Sequence, residues 1–128
     1  MSCEIRRVLI VDDSPTERFL LTQILAGGGF EVSIAENAEV GVAQARLFKP
    51  DLILMDVVMP GMNGFQATRQ LSRDVATQHI PVILCTTKSQ QSDKIWGLRQ
   101  GALDYVTKPV DGALLLAKIA AIAAGDCA

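Results

Sequence analysis

The stretch DLILMDVVMPG, residues Asp51–Gly61, decides the fold of this chain. Its apolar residues 52–55 lead directly into a single carboxylate, Asp56, and a turn with Pro60 and Gly61 follows. A short run that is apolar at every position is typical of a strand buried on both faces, as in a parallel sheet covered by helices. Open α/β sheets bind ligands at the carboxyl ends of their strands, where Asp56 is then expected. We interpret Asp56 as a nucleophile held at that edge.

Two other stretches are apolar throughout and end in polar residues. Arg7–Val11 is followed by Asp12 and Asp13, and Pro81–Cys85 is followed by Thr86. The same burial argument predicts that both are central strands of the sheet.

Two further stretches alternate apolar and polar residues, namely Phe30–Ala35 and Ala102–Val106. Alternation predicts strands with one less buried face, which we place at the two edges of the sheet. The second of them leads into Thr107 and the pair Lys108-Pro109.

Helical patterns separate the strands. Ser14, Pro15 and Glu17 form an N-terminal signature, with a capping residue, a proline at the first position and a capping-box partner. Helices are predicted over residues 15–26, 39–48, 65–73, 92–100 and 113–124. Apolar residues at helical spacing predict inward faces, with Leu20, Leu21, Ile24 and Leu25 in the first helix and Val40, Ala43 and Leu47 in the second.

Five strands and five helices in strict alternation predict an α/β fold with a doubly wound parallel sheet. Strands one, three and four are central by their burial pattern, and strands two and five are edges. The order 2-1-3-4-5 satisfies this pattern, and it is the flavodoxin-like order of doubly wound sheets.

The composition and charge of the chain argue against several classes of protein. The 128 residues fit one domain, and 49% hydrophobic residues are enough for a core. A net charge of −2 without a basic run argues against nucleic-acid binding. No signal peptide and no apolar run of membrane-spanning length are found. The three cysteines, Cys3, Cys85 and Cys127, match no zinc or disulfide pattern, so we expect reduced thiols and a cytoplasmic protein.

The predicted strand order brings chemical groups together at one edge. Neighbouring strands lie about 4.8 Å apart, so the ends of strands one, three, four and five span roughly 14 Å. Those ends carry Asp12, Asp13, Asp56, Thr86 and Lys108. Three carboxylates this close repel one another unless one is protonated or a cation joins them. A hard cation such as Mg²⁺, which prefers oxygen ligands and keeps waters and phosphate oxygens, fits such an incomplete site.

These residue types suit phosphoryl transfer. A carboxylate such as Asp56 can attack a phosphoryl group and form an aspartyl phosphate. A metal ion and Lys108 would offset the charge on the transferring oxygens, and the Thr86 hydroxyl can donate a hydrogen bond to one of them.

The sequence resembles the receiver domains of two-component response regulators, and the resemblance covers essentially the whole chain. The residues that carry it are Val11-Asp12-Asp13-Ser14, Asp56 with Met59-Pro60-Gly61, Thr86, Tyr105 and Lys108-Pro109.

The resemblance implies a role for each residue at the acidic edge. Asp56 would be the phosphoacceptor. Asp13, Asp56 and the Val58 carbonyl would bind Mg²⁺ directly, and Asp12 would act through a water molecule.

The resemblance also implies a switch and a partner. Thr86 and Tyr105 would form the switch pair, Lys108 would contact the phosphate, and the Lys108-Pro109 bond would be cis. The phosphoryl group would come from a histidine kinase.

Residues 64–71 and 93–101 are similar to those of single-domain receivers in type IV pilus, or twitching-motility, systems. We therefore expect a single receiver domain over residues 1–128 with no output domain, which is not an enzyme and signals to an unknown effector protein. The expected partner face includes Lys94, Trp96 and Tyr105. The chain would be a monomer or a phosphorylation-dependent dimer.

Plainer interpretations stay open for single residues. An Asp pair before a helix is often only a cap, Lys108 alone would be solvated, and Tyr105 alone would be an edge-strand aromatic. Trp96 is as well explained by a boundary core position as by a partner contact. Because the ends of four predicted strands all carry residues suited to the same chemistry, we favour the interpretation that these residues form one phosphoryl-transfer site.

Three other functions compete with the switch. A phosphate sink would use the same chemistry without an effector. A metal-dependent phosphohydrolase of the haloacid-dehalogenase type would need Asp-x-Asp after the first strand, where this chain has Asp12-Asp13-Ser14. A nucleotide-binding protein would need G-x-G-x-x-G there, and Gly27-Gly28-Gly29 follows a helix instead.

Two positions bear on the lifetime of the phosphoryl group. In receivers, the residues two past the phosphoacceptor and two past the switch threonine flank the hydrolytic water, and here they are Val58 and Lys88. Because Val58 cannot orient a water, we expect slow to moderate self-dephosphorylation.

Overall fold

The computed structural model describes residues 4–87 and 98–125, and all statements below concern these residues. They form a five-stranded parallel sheet in the order β2-β1-β3-β4-β5, so the predicted fold class and strand order are confirmed. The strands are β1 (Arg7–Val11), β2 (Glu31–Ala35), β3 (Leu52–Asp56), β4 (Val82–Thr87) and β5 (Asp104–Lys108), and the helices are α1 (Pro15–Gly27), α2 (Ala38–Phe48), α3 (Gly64–Arg73) and α4 (Gly112–Gly125).

Helices cover both faces of the sheet. On one face, α2 and α3 pack on β1, β3 and β4, and on the other face α1 and α4 do so. All five residues of β3 are buried, whereas β2 exposes most of its residues, as expected for a central and an edge strand. The continuous apolar runs therefore predicted the central strands correctly.

Strands β4 and β5 both extend two residues further than their apolar patterns predicted. Their pairing continues through Thr86 with Thr107 and Thr87 with Lys108. Backbone hydrogen bonding between parallel neighbours does not depend on side-chain polarity, so the ladder runs on into the polar residues. As a result, Lys108 ends a strand and has a fixed position.

The inward face predicted for α2 is wrong. Val40 is 41% exposed, Leu47 is 74% exposed and Ala43 is also exposed. A Cβ atom added to Gly41 would lie 2.7 Å from Val11 Cγ2, so the helix approaches β1 too closely for a large side chain. The buried positions are instead the small residues Ala38, Gly41 and Ala45.

One residue of the α1 face also differs from expectation, since Leu20 is exposed while Leu21 and Leu25 are buried. The predicted helix at 92–100 lies mostly outside the described residues, and so do Lys88, Lys94 and Trp96. Within the described ranges, no helix combines the length and the hydropathy needed to cross a lipid bilayer.

Candidate functional site

The carboxyl end of β1 holds two aspartates in different environments. Asp12 is buried, its Oδ1 accepts a hydrogen bond from the Ser14 backbone N–H at 2.9 Å, and its carbonyl oxygen accepts one from Arg18 Nη1 at 2.8 Å. Ser14 in turn caps α1 by accepting from the Glu17 N–H. Asp13 is exposed. The N-terminus of α1 thus fixes Asp12 and leaves the Asp13 carboxylate open to solvent.

The carboxyl end of β3 presents Asp56, which is 6% exposed. The chain folds back tightly after it, because the Gly64 N–H donates to Val57 O at 2.9 Å. A Cβ atom at Gly64 would collide with the Asp56 carbonyl oxygen. Glycine at this position therefore lets α3 begin directly beside Asp56.

Lys108, at the end of β5, crosses the edge of the sheet to these carboxylates. Its Nζ lies 2.9 Å from Asp56 Oδ1 and 3.2 Å from Asp12 Oδ2. The side chain is largely buried, so both ion pairs are sheltered from water. The three strand ends β1, β3 and β5 thereby meet at one ammonium group.

This arrangement shifts two pKa values. Burial raises the pKa of Asp56 to about 6; the hydrogen bond from Lys108 opposes this, and the neighbouring charges of Asp12 and Asp13 add to it. Burial lowers the pKa of Lys108, but the hydrogen bond and charge of Asp56, together with Asp12, outweigh burial and raise it. Lys108 therefore carries its charge at neutral pH, whereas the ionised form of Asp56 is unfavourable.

The residues present fit a hard divalent cation. Asp12, Asp13 and Asp56 each offer a carboxylate oxygen, and these oxygens lie within 4.8 Å of one another. Oxygen donors with an open side toward solvent are what Mg²⁺ requires. Val58 follows Asp56 by two residues at the same edge, and its side chain is 60% exposed.

Thr86 and Tyr105 lie on the neighbouring strands. Thr86 is 1% exposed, and its Oγ1 has no hydrogen-bond partner among the residues that the structure describes. A buried hydroxyl without a partner is unfavourable, which suits a group that awaits a ligand. Tyr105 is half-buried and packs against the core under α2 and α3, with Lys118 Nζ 5.7 Å from its ring centre.

Sequence reasoning missed two side chains that shape the site. Glu39 Oε1, on the first turn of α2, accepts a hydrogen bond from the Met62 N–H at 3.2 Å and so holds the loop after Asp56. Arg18 holds the Asp12 carbonyl, as described above. Acidic residues in a first helical turn are usually explained by the helix dipole, so Glu39 gave no separate signal.

Cys85 is excluded from this chemistry. Its side chain is buried in the core between the sheet and the helices α1 and α4, and burial raises the pKa of its thiol to about 12. Cys85 is therefore a small residue of the core.

Comparison with known proteins shows the family of the chain. Residues 8–120 match the family model of the response regulator receiver domain, and the chain therefore belongs to this family. It is 61% identical to the protein PilH of Pseudomonas aeruginosa over 119 residues, which cover 93% of this chain and 98% of PilH. It is 43% identical over 113 residues to the response regulator PleD of Caulobacter vibrioides, covering 88% of this chain and 25% of PleD.

Solved structures give the same fold. A putative response regulator from Chloroflexus aurantiacus superposes with a TM-score of 0.89 at 31% identity, covering 93% of this chain and 98% of that one. The chemotaxis protein CheY4 of Vibrio cholerae superposes with a TM-score of 0.84 at 29% identity, covering 91% and 98%. The resemblance to receivers inferred from the sequence is confirmed, and the chain is a receiver of the signalling-switch class.

Proposed function

We propose that this receiver takes a phosphoryl group onto Asp56 from a histidine kinase and passes the signal on by protein contact. The observation that carries the proposal is that Asp56, Lys108 and the acidic pair Asp12 and Asp13 meet beside the buried Thr86 hydroxyl, which has no hydrogen-bond partner among the described residues. Each of these groups has a task in phosphoryl transfer, and no other cluster among the described residues combines them.

The chemistry balances without a further reactant. An oxygen of the Asp56 carboxylate attacks phosphorus, the bond between phosphorus and the kinase imidazole nitrogen breaks, and that nitrogen takes up a proton. Lys108 offsets charge on the phosphoryl oxygens, and Thr86 donates a hydrogen bond to one of them. Mg²⁺, held by Asp13, Asp56 and the Val58 carbonyl with Asp12 acting through water, would supply further positive charge at this position.

The buried Thr86 hydroxyl would couple phosphorylation of Asp56 to a change in the conformation of the protein. A phosphoryl group on Asp56 would give Thr86 Oγ1 its partner and draw the side chain toward the acidic edge. We propose that Tyr105, one strand further along the sheet, then moves inward and that this shifts a two-state equilibrium. Tyr105 would form the partner face with Lys94 and Trp96.

Intact mass spectrometry tests the phosphoacceptor. After incubation with a small phosphodonor and Mg²⁺, the wild type should gain the mass of one phosphoryl group and Asp56→Asn should gain none. Asp104→Asn is the matched control, because Asp104 lies at the opposite end of β5, bound to Lys118 at 3.0 Å. Phosphorylation of Asp56→Asn to the wild-type level would refute the proposal.

The lifetime of the phosphoryl group is a second measurable quantity. Since Val58 cannot hold the hydrolytic water, we expect Val58→Asn to lose its phosphoryl group faster than the wild type. Equal lifetimes would remove this part of the proposal.

The similarity to PilH supports a role in type IV pilus motility, with an effector protein as the output. Capture experiments with the phosphorylated and unphosphorylated forms separate this switch from a phosphate sink. An effector retained only by the phosphorylated form supports the switch, and equal retention by both forms contradicts it.

A further inference from the structure

A second charged cluster lies at the other end of the molecule. Two arginines of α3, together with Arg99 from the helical residues just before the turn that leads to β5, line a shallow pocket of about 370 Å³. The pocket is far from Asp56, because α3 begins beside Asp56 and its ten residues extend about 15 Å. The lining residues are Arg69, Ser72, Arg73, Arg99, Gln100 and Gly101.

A hydrogen bond and a close backbone approach hold the two chain segments beneath this pocket together. Ser72 Oγ donates a hydrogen bond to Gln100 O at 2.9 Å and so joins the last turn of α3 to the turn before β5. Gly101 has a φ of +114°, and a Cβ atom there would lie 2.7 Å from Ser72 Cβ. Only glycine allows this close approach, which sets Arg99 beside α3.

The charges of the pocket are not compensated within the described part of the chain. Arg69 and Arg73 are four residues apart and share one face of α3, so their charges repel each other. None of the three arginines has an ion pair among the described residues. By contrast, Arg46 pairs with Asp74 at 2.9 Å. The negative end of the α3 dipole accounts for Arg73 but not for three cations together.

The chemistry of the lining selects the ligand. A guanidinium presents a planar fork of donors that matches a phosphate group, and several forks around one concavity favour a polyvalent anion. Among the described residues, no aromatic or large apolar side chain lines the pocket, so this part of the chain offers none of the apolar contacts that dominate a protein interface. We infer that Arg69, Arg73 and Arg99 form a binding site for a small phosphate-bearing anion, separate from the phosphorylation site.

Calorimetric titration of the whole chain with inorganic pyrophosphate, in buffer without Mg²⁺, tests the inference. We expect saturable binding of one pyrophosphate. Arg69→Gln and Arg73→Gln should each weaken it about tenfold, the equivalent of one charge-assisted contact. Arg6→Gln is the control, because Arg6 is an exposed arginine paired with Glu4 at 3.0 Å, and it should bind as the wild type does. Asp56→Asn should also bind normally, which separates this site from the acidic edge.

Three outcomes would overturn the inference. The first is no saturation at about 10 mM pyrophosphate, a concentration at which binding with a dissociation constant of about 1 mM would be detected. The second is an equal loss of binding in Arg6→Gln, and the third is tighter binding of a poly-glutamate peptide than of pyrophosphate. The last result would assign the pocket to an acidic protein segment. Circular dichroism of each variant shows whether it is folded.

Discussion

Two aspartates at the two ends of β3, Asp51 and Asp56, lie in contrasting hydrogen-bonding environments. Asp51, just before β3, has an oxygen that accepts hydrogen bonds from the backbone N–H groups of Arg6 and Arg7, both at 3.0 Å. Asp56, the last residue of β3, is buried, and its described partner is the side chain of Lys108. One carboxylate is satisfied by fixed backbone donors, and the other faces a single flexible cation and two more carboxylates.

This difference in hydrogen-bond partners distinguishes Asp51, which has a structural role, from Asp56, the proposed phosphoacceptor. Asp51 ties the start of β1 to the start of β3, and Arg7 extends this junction by donating to Phe48 O at 3.0 Å and Lys49 O at 2.7 Å. Among the described residues, no backbone N–H donates to the Asp56 carboxylate, and burial raises the pKa of Asp56 to about 6. Its ionised form is costly in the free protein, and this cost is what a phosphoryl group or a cation would remove.

The largest expected effect is the loss of Lys108. Lys108→Met leaves Asp12 and Asp56 buried without their cation, and removing one partner of a buried ion pair costs about 3–5 kcal/mol. We expect this loss in the free energy of unfolding, measured with urea at neutral pH.

The matched control for this variant is Lys118→Met, because Lys118 pairs with the partly exposed Asp104 at 3.0 Å. Partly exposed pairs contribute about 1 kcal/mol or less. Similar destabilisation of the two variants would mean that the Asp12 and Asp56 carboxylates are not sheltered as the structure places them.

Substitution of Asp51 and substitution of Asp56 should change the free energy of unfolding in opposite directions. Asp56→Asn should stabilise the metal-free protein by roughly 2–3 kcal/mol at pH 7.5, because it removes an unfavourable buried charge. Asp51→Asn should destabilise it by about 1 kcal/mol, because a neutral amide oxygen accepts the two backbone hydrogen bonds less strongly. Urea unfolding of both variants measures the difference, and destabilisation by Asp56→Asn would contradict the assignment.

The pH dependence of Asp56→Asn has a defined direction. The folded state keeps the Asp56 proton up to a pKa of about 6, whereas the ordinary value is 3.8. Between these values the unfolded state binds fewer protons, so the Asp56 contribution to stability falls as pH rises. The advantage of Asp56→Asn over the wild type should therefore be absent at about pH 3.5 and complete above about pH 7. A constant difference would exclude the raised pKa.

Mg²⁺ should reverse part of this cost. At a concentration tenfold above its dissociation constant, a ligand of the folded state stabilises by about 1.4 kcal/mol. We expect MgCl₂ to raise the melting temperature of the wild type and of Asp51→Asn, and to have little effect on Asp56→Asn. An equal rise in all three would indicate a cation effect unrelated to the acidic edge.

The sequence predicted the acidic edge well because its logic is topological. Once the apolar runs define central parallel strands, their carboxyl ends must meet, and Asp12, Asp56, Thr86 and Lys108 follow. The role of Asp51 was not predicted, because its partners are backbone groups 44 and 45 residues away along the chain. Contacts of this kind leave no pattern in residue type.

The inward face of α2 was predicted wrongly for a different physical reason. Hydrophobic periodicity assumes that the largest apolar residues face the core, but the junction of Arg7 with the C-terminal carbonyls of α2 holds this helix close to β1. At that distance only small side chains fit, and Gly41 lies against Val11. Small residues at helical spacing are a weaker signal than large ones, so the wrong face was predicted.

The smallest expected effect tests this account of α2. Leu47→Gln replaces a side chain that is 74% exposed, so the free energy of unfolding should change by no more than about 0.5 kcal/mol. Gly41→Ala, which adds a single carbon against Val11, should destabilise by about 1–3 kcal/mol through overpacking. The larger chemical change would thus have the smaller effect. If Leu47→Gln is the more damaging variant in urea unfolding, α2 presents its large apolar residues to the core after all, and the close packing of the helix on β1 is wrong.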